Sequence, residues 1–308
     1  MNILMAGGTG LIGNKLRSSA IFKDAFWKIL TRKPNKYYAE SHKNETFISL
    51  EDFYRNPMDF LKDIDLVINL AGQSIASFPW TKSKKETILN SRTVITETIV
   101  NGIYQLNNPD VVLLNASAVG YYGLQEDTSV VLDESSAPLQ SPPGFISHVC
   151  QQWEAATLPL HQAANRVINL RFGMVLSPEG GIQKKLELPI KLWLAGPLGS
   201  GLQPVAWIAL DEIPHIIRFL IDQKSIQGPV NIVAPEVVIQ KEFIKSIAQI
   251  YNRKAIIPTP ALIIRLFMGE FGNELLLHGQ AIRPQKLQDA GYSFMFPTLD
   301  KYIQSIRL

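Results

Sequence analysis

Ile3-Leu4-Met5-Ala6-Gly7-Gly8-Thr9-Gly10-Leu11-Ile12-Gly13 is the stretch that decides the fold. Four apolar residues run into a glycine cluster, and a stretch with helical spacing of apolar residues, 11–19, follows directly. The order is strand, tight turn, helix. Gly8, Gly10 and Gly13 fit G-x-G-x-x-G, while Gly7, Gly10 and Gly13 fit G-x-x-G-x-x-G. In such a turn the first glycines permit the bend, Gly10 lets a pyrophosphate reach the backbone, and Gly13 lets the helix pack close to the strand. The helix start offers N–H groups that lack intrahelical partners, and an anion can take them. Gly7, Thr9, Gly10, Leu11, Ile12 and Gly13 are therefore the expected cradle of a dinucleotide.

The next strand, 27–31, bears on which dinucleotide. Proteins that hold NAD on this turn usually place an Asp or Glu about 20 residues further on, where it binds the ribose hydroxyls. Here the strand ends Ile29-Leu30-Thr31-Arg32-Lys33-Pro34, with no acid and two cations. A carboxylate would repel a 2′-phosphate, whereas Arg32 can grip one through charge-assisted hydrogen bonds. The expected cofactor is NADP(H). Further on, Val67-Ile68-Asn69-Leu70-Ala71-Gly72 ends a strand in small residues, which give clearance to a ligand lying across strand ends.

Outward from these motifs, strand and helix patterns alternate. Residues 53–62 are helix-like and 65–70 a strand; 82–105 form a long amphipathic helix with Ile88, Ile95, Ile99 and Ile103 on one side. Residues 111–116 and 167–171 are strands flanking a helix at 145–158, and 125–143 read as a polar loop. Such alternation predicts an α/β fold, a Rossmann-type doubly wound parallel sheet. After Arg171 come a turn at 177–181, a helix at 184–194 and the glycine-rich loop 196–201. Strands at 205–208 and 230–233 bracket a helix at 211–221, where Asp211 and Glu212 suit the N-cap and the first turn. A helix at 241–251, a break at 258–260 and mixed short elements to the end predict a smaller C-terminal lobe. The expected division is 1–236, with an excursion at about 177–204, and 237–308, which contributes to the cleft.

Composition narrows the function classes. Of 308 residues 46% are apolar, and 30 Lys+Arg against 27 Asp+Glu leave +3, too balanced for a nucleic-acid binder. Mean hydropathy is +0.06, yet no apolar run reaches the roughly 18 residues of a membrane span. The longest candidate, 260–271, is interrupted by Arg265 and Glu270. The apolar start lacks a basic leader and reads as a strand rather than a signal peptide. One cysteine, Cys150, excludes an internal disulfide framework. His42, His148, His161, His215 and His278 show no metal-ligand spacing, so no metal site is expected. The expectation is a cytoplasmic protein whose partner is a small molecule rather than a nucleic acid or a membrane.

Taken together, GGTGLIG (7–13), TRKP (31–34), NLAG (69–72), Ser91-Arg92, SAVGYYG (117–123), WEAA (153–156), RFGMVLSPEGG (171–181), GPLGSGLQ (196–203), Trp207-Ile208, VNIVAPE (230–236), LLL (275–277) and RPQKLQDAGYSF (283–294) resemble an extended short-chain dehydrogenase/reductase of the NAD-dependent epimerase/dehydratase superfamily. More narrowly they resemble an atypical, epimerase-like subfamily with its own C-terminal domain. The resemblance implies that Thr31, Arg32 and Lys33 hold the adenosine ribose phosphate. It also implies that Leu70, Ala71, Gly72, Arg92 and Val175 line the dinucleotide.

Active members of that superfamily carry a Ser or Thr after the fifth strand and Tyr-x-x-x-Lys on the next helix. There Lys lowers the Tyr pKa and Tyr exchanges a proton with the substrate oxygen. Ser117 takes the first place, but the helix places Phe145 or Ile146 where Tyr belongs and Val149 or Cys150 where Lys belongs. Tyr121 and Tyr122 follow Ser117 in a glycine-flanked loop and are the alternative acid–base candidates. Gln203 and Trp207 are expected to border the substrate cleft. The sequence thus predicts an NADP(H)-binding, epimerase/dehydratase-like oxidoreductase without the usual relay. The competing reading is a non-catalytic NADP(H)-binding redox sensor or partner-binding protein.

Overall fold

The computed structural model describes residues 1–37, 43–139 and 144–307; His42 and the last four residues of the anticipated 125–143 loop lie outside them. In chain order the elements are β1 (Asn2–Ala6), α1 (Leu11–Ser18), β2 (Phe26–Thr31), β3 (Glu45–Ser49), α2 (Leu50–Arg55), α3 (Pro57–Leu61), β4 (Leu66–Asn69), α4 (Lys82–Leu106), β5 (Val112–Ala118), α5 (Phe145–Ala155), α6 (Leu158–Gln162) and β6 (Val167–Phe172). Then follow β7 (Met174–Ser177), α7 (Gly181–Lys191), β8 (Pro204–Val205), β9 (Trp207–Ala209), α8 (Glu212–Asp222), β10 (Gly228–Ile232), β11 (Val238–Ile239), α9 (Gln240–Ile250), α10 (Ala261–Leu276), α11 (Gln285–Asp289) and α12 (Leu299–Arg307).

Seven strands form one sheet in the order β10-β6-β5-β4-β1-β2-β3, and every neighbouring pair is parallel. The continuous apolar strands explain why. Ile3 and Met5 point to one face and Leu4 and Ala6 to the other, and all four are fully buried. Both faces must then be covered by crossover helices. On one face α8 contributes Ile213, Ile216, Ile217 and Leu220. On the other, α4 contributes Ile95, Ile99 and Ile103, the stripe anticipated from the sequence. Strand order reverses between β1 and β4, which opens a crevice at their carboxyl ends. Among the described residues no helix is long and apolar enough to cross a membrane.

Several elements differ from the sequence expectation. The edge strand β3 was not anticipated, because Glu-Thr-Phe-Ile-Ser has too short an apolar run to stand out. The helix anticipated at 53–62 is two helices, since Pro57 opens α3 as a first-turn residue and cannot continue α2. The sequence also gave no sign of a buried asparagine row. Asn69, Asn115 and Asn169 stand in register on β4, β5 and β6. Asn69 Nδ2 donates to Asn115 Oδ1 at 2.8 Å, and Asn115 Nδ2 donates to Asn169 Oδ1 at 3.2 Å. Thr96 of α4 and Thr157, next to α6, take the outer bonds.

A third apolar cluster holds Trp207, Phe243, Ile247 and Tyr302. It combines residues 176–209 with residues 234–303, so the excursion and the C-terminal segment share one core. Glu212 ties part of that segment down. It is fully buried, and its carboxylate accepts from Tyr292 Oη (2.6 Å), Met295 N (3.1 Å) and Phe296 N (2.9 Å). The first-turn acid expected for α8 is thus a clasp on the chain after α11. Asp211 makes no side-chain cap and pairs instead with Lys15.

Glu212→Ala leaves three donors without their acceptor, so the variant should lose about 3 kcal/mol of stability. Denaturant unfolding reads the total, and hydrogen exchange should show the largest loss of protection at residues 292–296.

Candidate functional site

The glycine turn is built in layers. Gly7 lies at φ +78°, and a Cβ there would meet Leu70 O at 2.6 Å. A Cβ on Gly13 would stand 2.5 Å from the Cα of Gly8, and one on Gly8 would stand 2.9 Å from Cγ2 of Ile29. These three glycines serve the protein's own packing. Gly10 does not: a Cβ there would approach only Gly7 O, at 3.3 Å. It is also the N-cap of α1 and brings no side chain to the helix end. The space beside Gly10 is open, and the N–H groups of the first turn, at Leu11, Ile12 and Gly13, have no intrahelical acceptor.

Contacts join the remaining cradle residues around the same crevice. Leu70 and Ala71 touch Gly7, and Gly72 stands against the Arg92 guanidinium, where a Cβ would be 3.0 Å from Cζ. Leu11 packs on Gly180, and Val175 O lies beside Gly181. Lys185 Nζ reaches Ala76 O (3.3 Å), so α7 bridges to the loop after β4. Arg17 holds the turn from below, donating to Gly8 O (3.1 Å) while pairing bidentately with Glu45 (2.8 and 2.9 Å). At the end of β2, Thr31 is buried, while Arg32 and Lys33 are exposed and form no ion pair among the described residues. Arg92 is largely buried without a carboxylate. It donates to Ile88 O (2.8 Å) and lies 5.0 Å from the Trp153 ring, and burial lowers its pKa.

The acid–base candidates meet different fates. Ser117 is buried, and its hydroxyl donates to Glu154 Oε1 at 2.6 Å. Glu154 also accepts two bonds from Arg171, both 2.8 Å. Burial works against the Arg171 charge, but the bonds to Glu154 outweigh it and raise its pKa. Arg171 Nη1 has no partner although it is buried. Its guanidinium lies 3.5 Å from the Tyr121 ring centroid and 4.8 Å from that of Tyr122. Tyr122 is fully buried, its hydroxyl donates to Asn231 Oδ1 (2.8 Å), and burial pushes its pKa up to about 12. Tyr121 is half-buried, and its hydroxyl has no hydrogen-bond partner among the described residues.

On α5, Ile146, Val149 and Cys150 are buried and His148 is exposed. Phe145 packs in an aromatic group with Trp80 (5.0 Å), which also meets Phe271 of α10 (5.3 Å). Glu274 of α10 accepts from the N–H groups of Phe145 (2.7 Å) and Ile146 (2.9 Å), capping α5 from the C-terminal lobe. Gln203 and Trp207, expected beside the substrate cleft, are both buried. Gln203 Nε2 ties Leu198 O and Leu276 O together, and Trp207 lies in the third core. Among the described residues, no three metal-binding side chains come together. Sequence reasoning missed Glu154, Arg171 and Glu274 as a set, because only folding brings them to the end of β5 and the start of α5.

Burial pushes the Cys150 thiol up to about 12, so at pH 8 only about one molecule in ten thousand carries the thiolate. Native protein should therefore resist a thiol-specific disulfide reagent that reacts at once after denaturation. Rapid labelling of the native chain would contradict this burial.

The profile of the NAD dependent epimerase/dehydratase family matches residues 3–232, and that of a domain of unknown function, DUF1731, matches residues 259–306. Epimerase family protein SSP1921 of Staphylococcus saprophyticus is 36% identical over 296 residues, 96% of each chain. Epimerase family protein Mb2239 of Mycobacterium bovis is 33% identical over 297 residues, 96% of this chain and 94% of that one. The crystal structure of human epimerase family protein SDR39U1 (isoform2) with NADPH is similar at a TM-score of 0.86 and 27% identity, over 100% of this chain and 99% of that one. This likeness runs through both the glycine turn and the C-terminal segment, and the chain belongs to the NAD dependent epimerase/dehydratase family.

Proposed function

We propose that this protein binds NADP(H) across the carboxyl ends of β1, β2 and β4 and acts as an epimerase/dehydratase-like oxidoreductase on a small molecule in the cytoplasm. The observation that carries the reading is the contrast at Gly10. Its neighbours in the motif are glycine for packing, whereas Gly10 fronts open space at an uncapped helix start. A pyrophosphate fits that space and answers the helix end electrostatically. Arg32 and Lys33, exposed and without an ion-pair partner among the described residues, favour a 2′-phosphate over a bare ribose. The human relative solved with NADPH supports that choice.

When bound, the nicotinamide supplies hydride transfer. The chain's own residues bind and orient. The first-turn N–H groups of α1 hold the pyrophosphate, with Thr9 beside them, and Thr31, Arg32 and Lys33 hold the ribose phosphate. Leu70, Ala71 and Gly72 give clearance, Val175 closes the opposite wall, and Arg92, with no carboxylate partner among the described residues, offers its cation beside Gly72. For proton delivery we assign Tyr121, because the Ser117 hydroxyl is held by Glu154 and that of Tyr122 by Asn231. Those same two bonds favour the second reading, NADP(H) binding without turnover, since they leave a single free hydroxyl among the three candidates. Phe145, Ile146, Val149 and Cys150 supply neither acid nor cation.

Calorimetric titration should give NADPH at least about tenfold tighter binding than NADH, and Arg32→Asp should erase or invert the preference. Equal affinities in the unaltered protein would refute the NADP assignment. Gly10→Ala should weaken binding of either cofactor while the melting temperature stays near that of the parent. Gly13→Ala should instead destabilise the fold itself.

A positioned acid is worth about 10²–10⁴ in rate, so reduction of simple aldehydes and ketones should be slow. Across an aldehyde, ketone and nucleotide-sugar panel followed at the NADPH absorbance band, any turnover should fall on Tyr121→Phe. Brisk oxidation that survives the combined Ser117→Ala, Tyr121→Phe and Tyr122→Phe changes would overturn the assignment.

A further inference from the structure

The first half of α10, residues 261–268, buries one large apolar side chain, Ile264, and leaves four to solvent: Leu262 at 77%, Ile263 at 47%, Leu266 at 75% and Phe267 at 71% exposure. Gly269, at φ +50° and ψ −133°, breaks the helix there. Beyond the break Phe271 and Glu274 anchor the second half to the rest of the fold. The exposed apolar strip does not stop at the helix. Thr259 N donates to Pro197 O (2.8 Å), Gly199 N donates to Thr259 O (2.9 Å), and Gly196 abuts the backbone of Ile257. Residues 192–199 therefore run beside residues 253–261. Leu192, Trp193, Leu194, Ile256 and Ile257 are all exposed along them.

Charge within the two stretches that form this face has one sign. Residues 188–202 and 252–269 contain Lys191, Arg253, Lys254 and Arg265, all exposed, and no Asp or Glu. The nearby carboxylates are already paired, Glu187 with Lys184 and Lys191, and Glu270 with Lys85. Arg253 stands over the Trp193 ring at 5.5 Å, so cation and aromatic share one edge of the strip. Contiguous apolar surface of this kind is unusual on a free monomer. A second copy seated on the same face would bring like charges together with no carboxylate to answer them. An apolar helix face rimmed by cations instead matches the boundary between headgroups and acyl chains of an anionic bilayer.

We propose that this face docks the protein peripherally on an anionic phospholipid surface, with Leu262, Leu266, Phe267 and Trp193 entering the interface and Arg253, Lys254 and Arg265 meeting the headgroups. The docking needs no membrane span, and it is independent of the dinucleotide reading.

The test is cosedimentation of the full chain with phosphatidylcholine vesicles, with and without phosphatidylglycerol. Binding should be roughly tenfold stronger to the anionic vesicles and should fall as salt is raised. The pairs Leu266→Asn with Phe267→Asn, and Arg253→Glu with Lys254→Glu, should each lower partition by about tenfold or more while leaving the melting curve unchanged. Absence of binding to either vesicle would overturn the proposal, as would equal binding by the parent and both variants. A concentration-dependent dimer lost on Leu266→Asn, without lipid binding, would assign the face to a second copy and equally overturn it.

Discussion

Close approach of α1 to the turn that precedes it is the constraint on which the rest of the structure depends. The start of α1 lies so near the turn that a methyl group at position 13 would stand 2.5 Å from the Cα of Gly8. That closeness puts the N-terminus of α1 directly over the carboxyl end of β1. The same turn presses Gly7 onto the backbone of Leu70 and Ala71, which fixes β4 as the neighbour of β1 on that side. Strand order reverses at that boundary, and every element of the candidate site is measured from it. Arg17 secures the turn from the other side by joining Gly8 O to Glu45 on β3. An otherwise unremarkable edge strand thereby becomes part of the support of the site.

Besides the third apolar core, the C-terminal segment is held by buried carboxylates that accept backbone N–H groups from distant chain. Glu212 takes Met295 and Phe296, Glu274 takes Phe145 and Ile146, and Glu134 takes Asn231 and Lys286. Each satisfies backbone donors that are at least partly withdrawn from water, and a fully buried donor left unpaired costs about 1–3 kcal/mol. Burial raises the pKa of both Glu134 and Glu274, while the N–H bonds they accept oppose that shift. Through Glu274 the lobe sets the start of α5, and with it the position of Phe145 beside Trp80.

At the end of β5 the polar groups serve the fold before any reaction. Glu154 answers Arg171 and Ser117 together, and Arg171 in turn supports the Tyr121 and Tyr122 rings. Tyr121 stands apart, with its ring on the cation and its hydroxyl unclaimed among the described residues. Arg92 also has no carboxylate partner among the described residues, and it stands beside Gly72 just after β4.

By itself the sequence determined the fold class and the strand-turn-helix unit at its start. Glycine spacing, β-branched strands and the isoleucine stripe of α4 are local signals, and local sterics and periodicity act through neighbours a few residues apart. The 3₁₀ turn at Val119–Tyr122, the in-register asparagines and the split of α2 from α3 were less legible, although Pro57 marks the last of these. Tertiary structure decided what each candidate side chain is free to do. Ser117 meets Glu154 across 37 residues, Tyr122 meets Asn231 across 109, and Glu274 meets Phe145 across 129. No pattern in the chain encodes such pairings, because hydrogen bonding and desolvation depend on which groups packing brings together. The glycine motif marked the turn, but only the packed structure separated Gly10, which faces open space, from the glycines that the protein needs for itself.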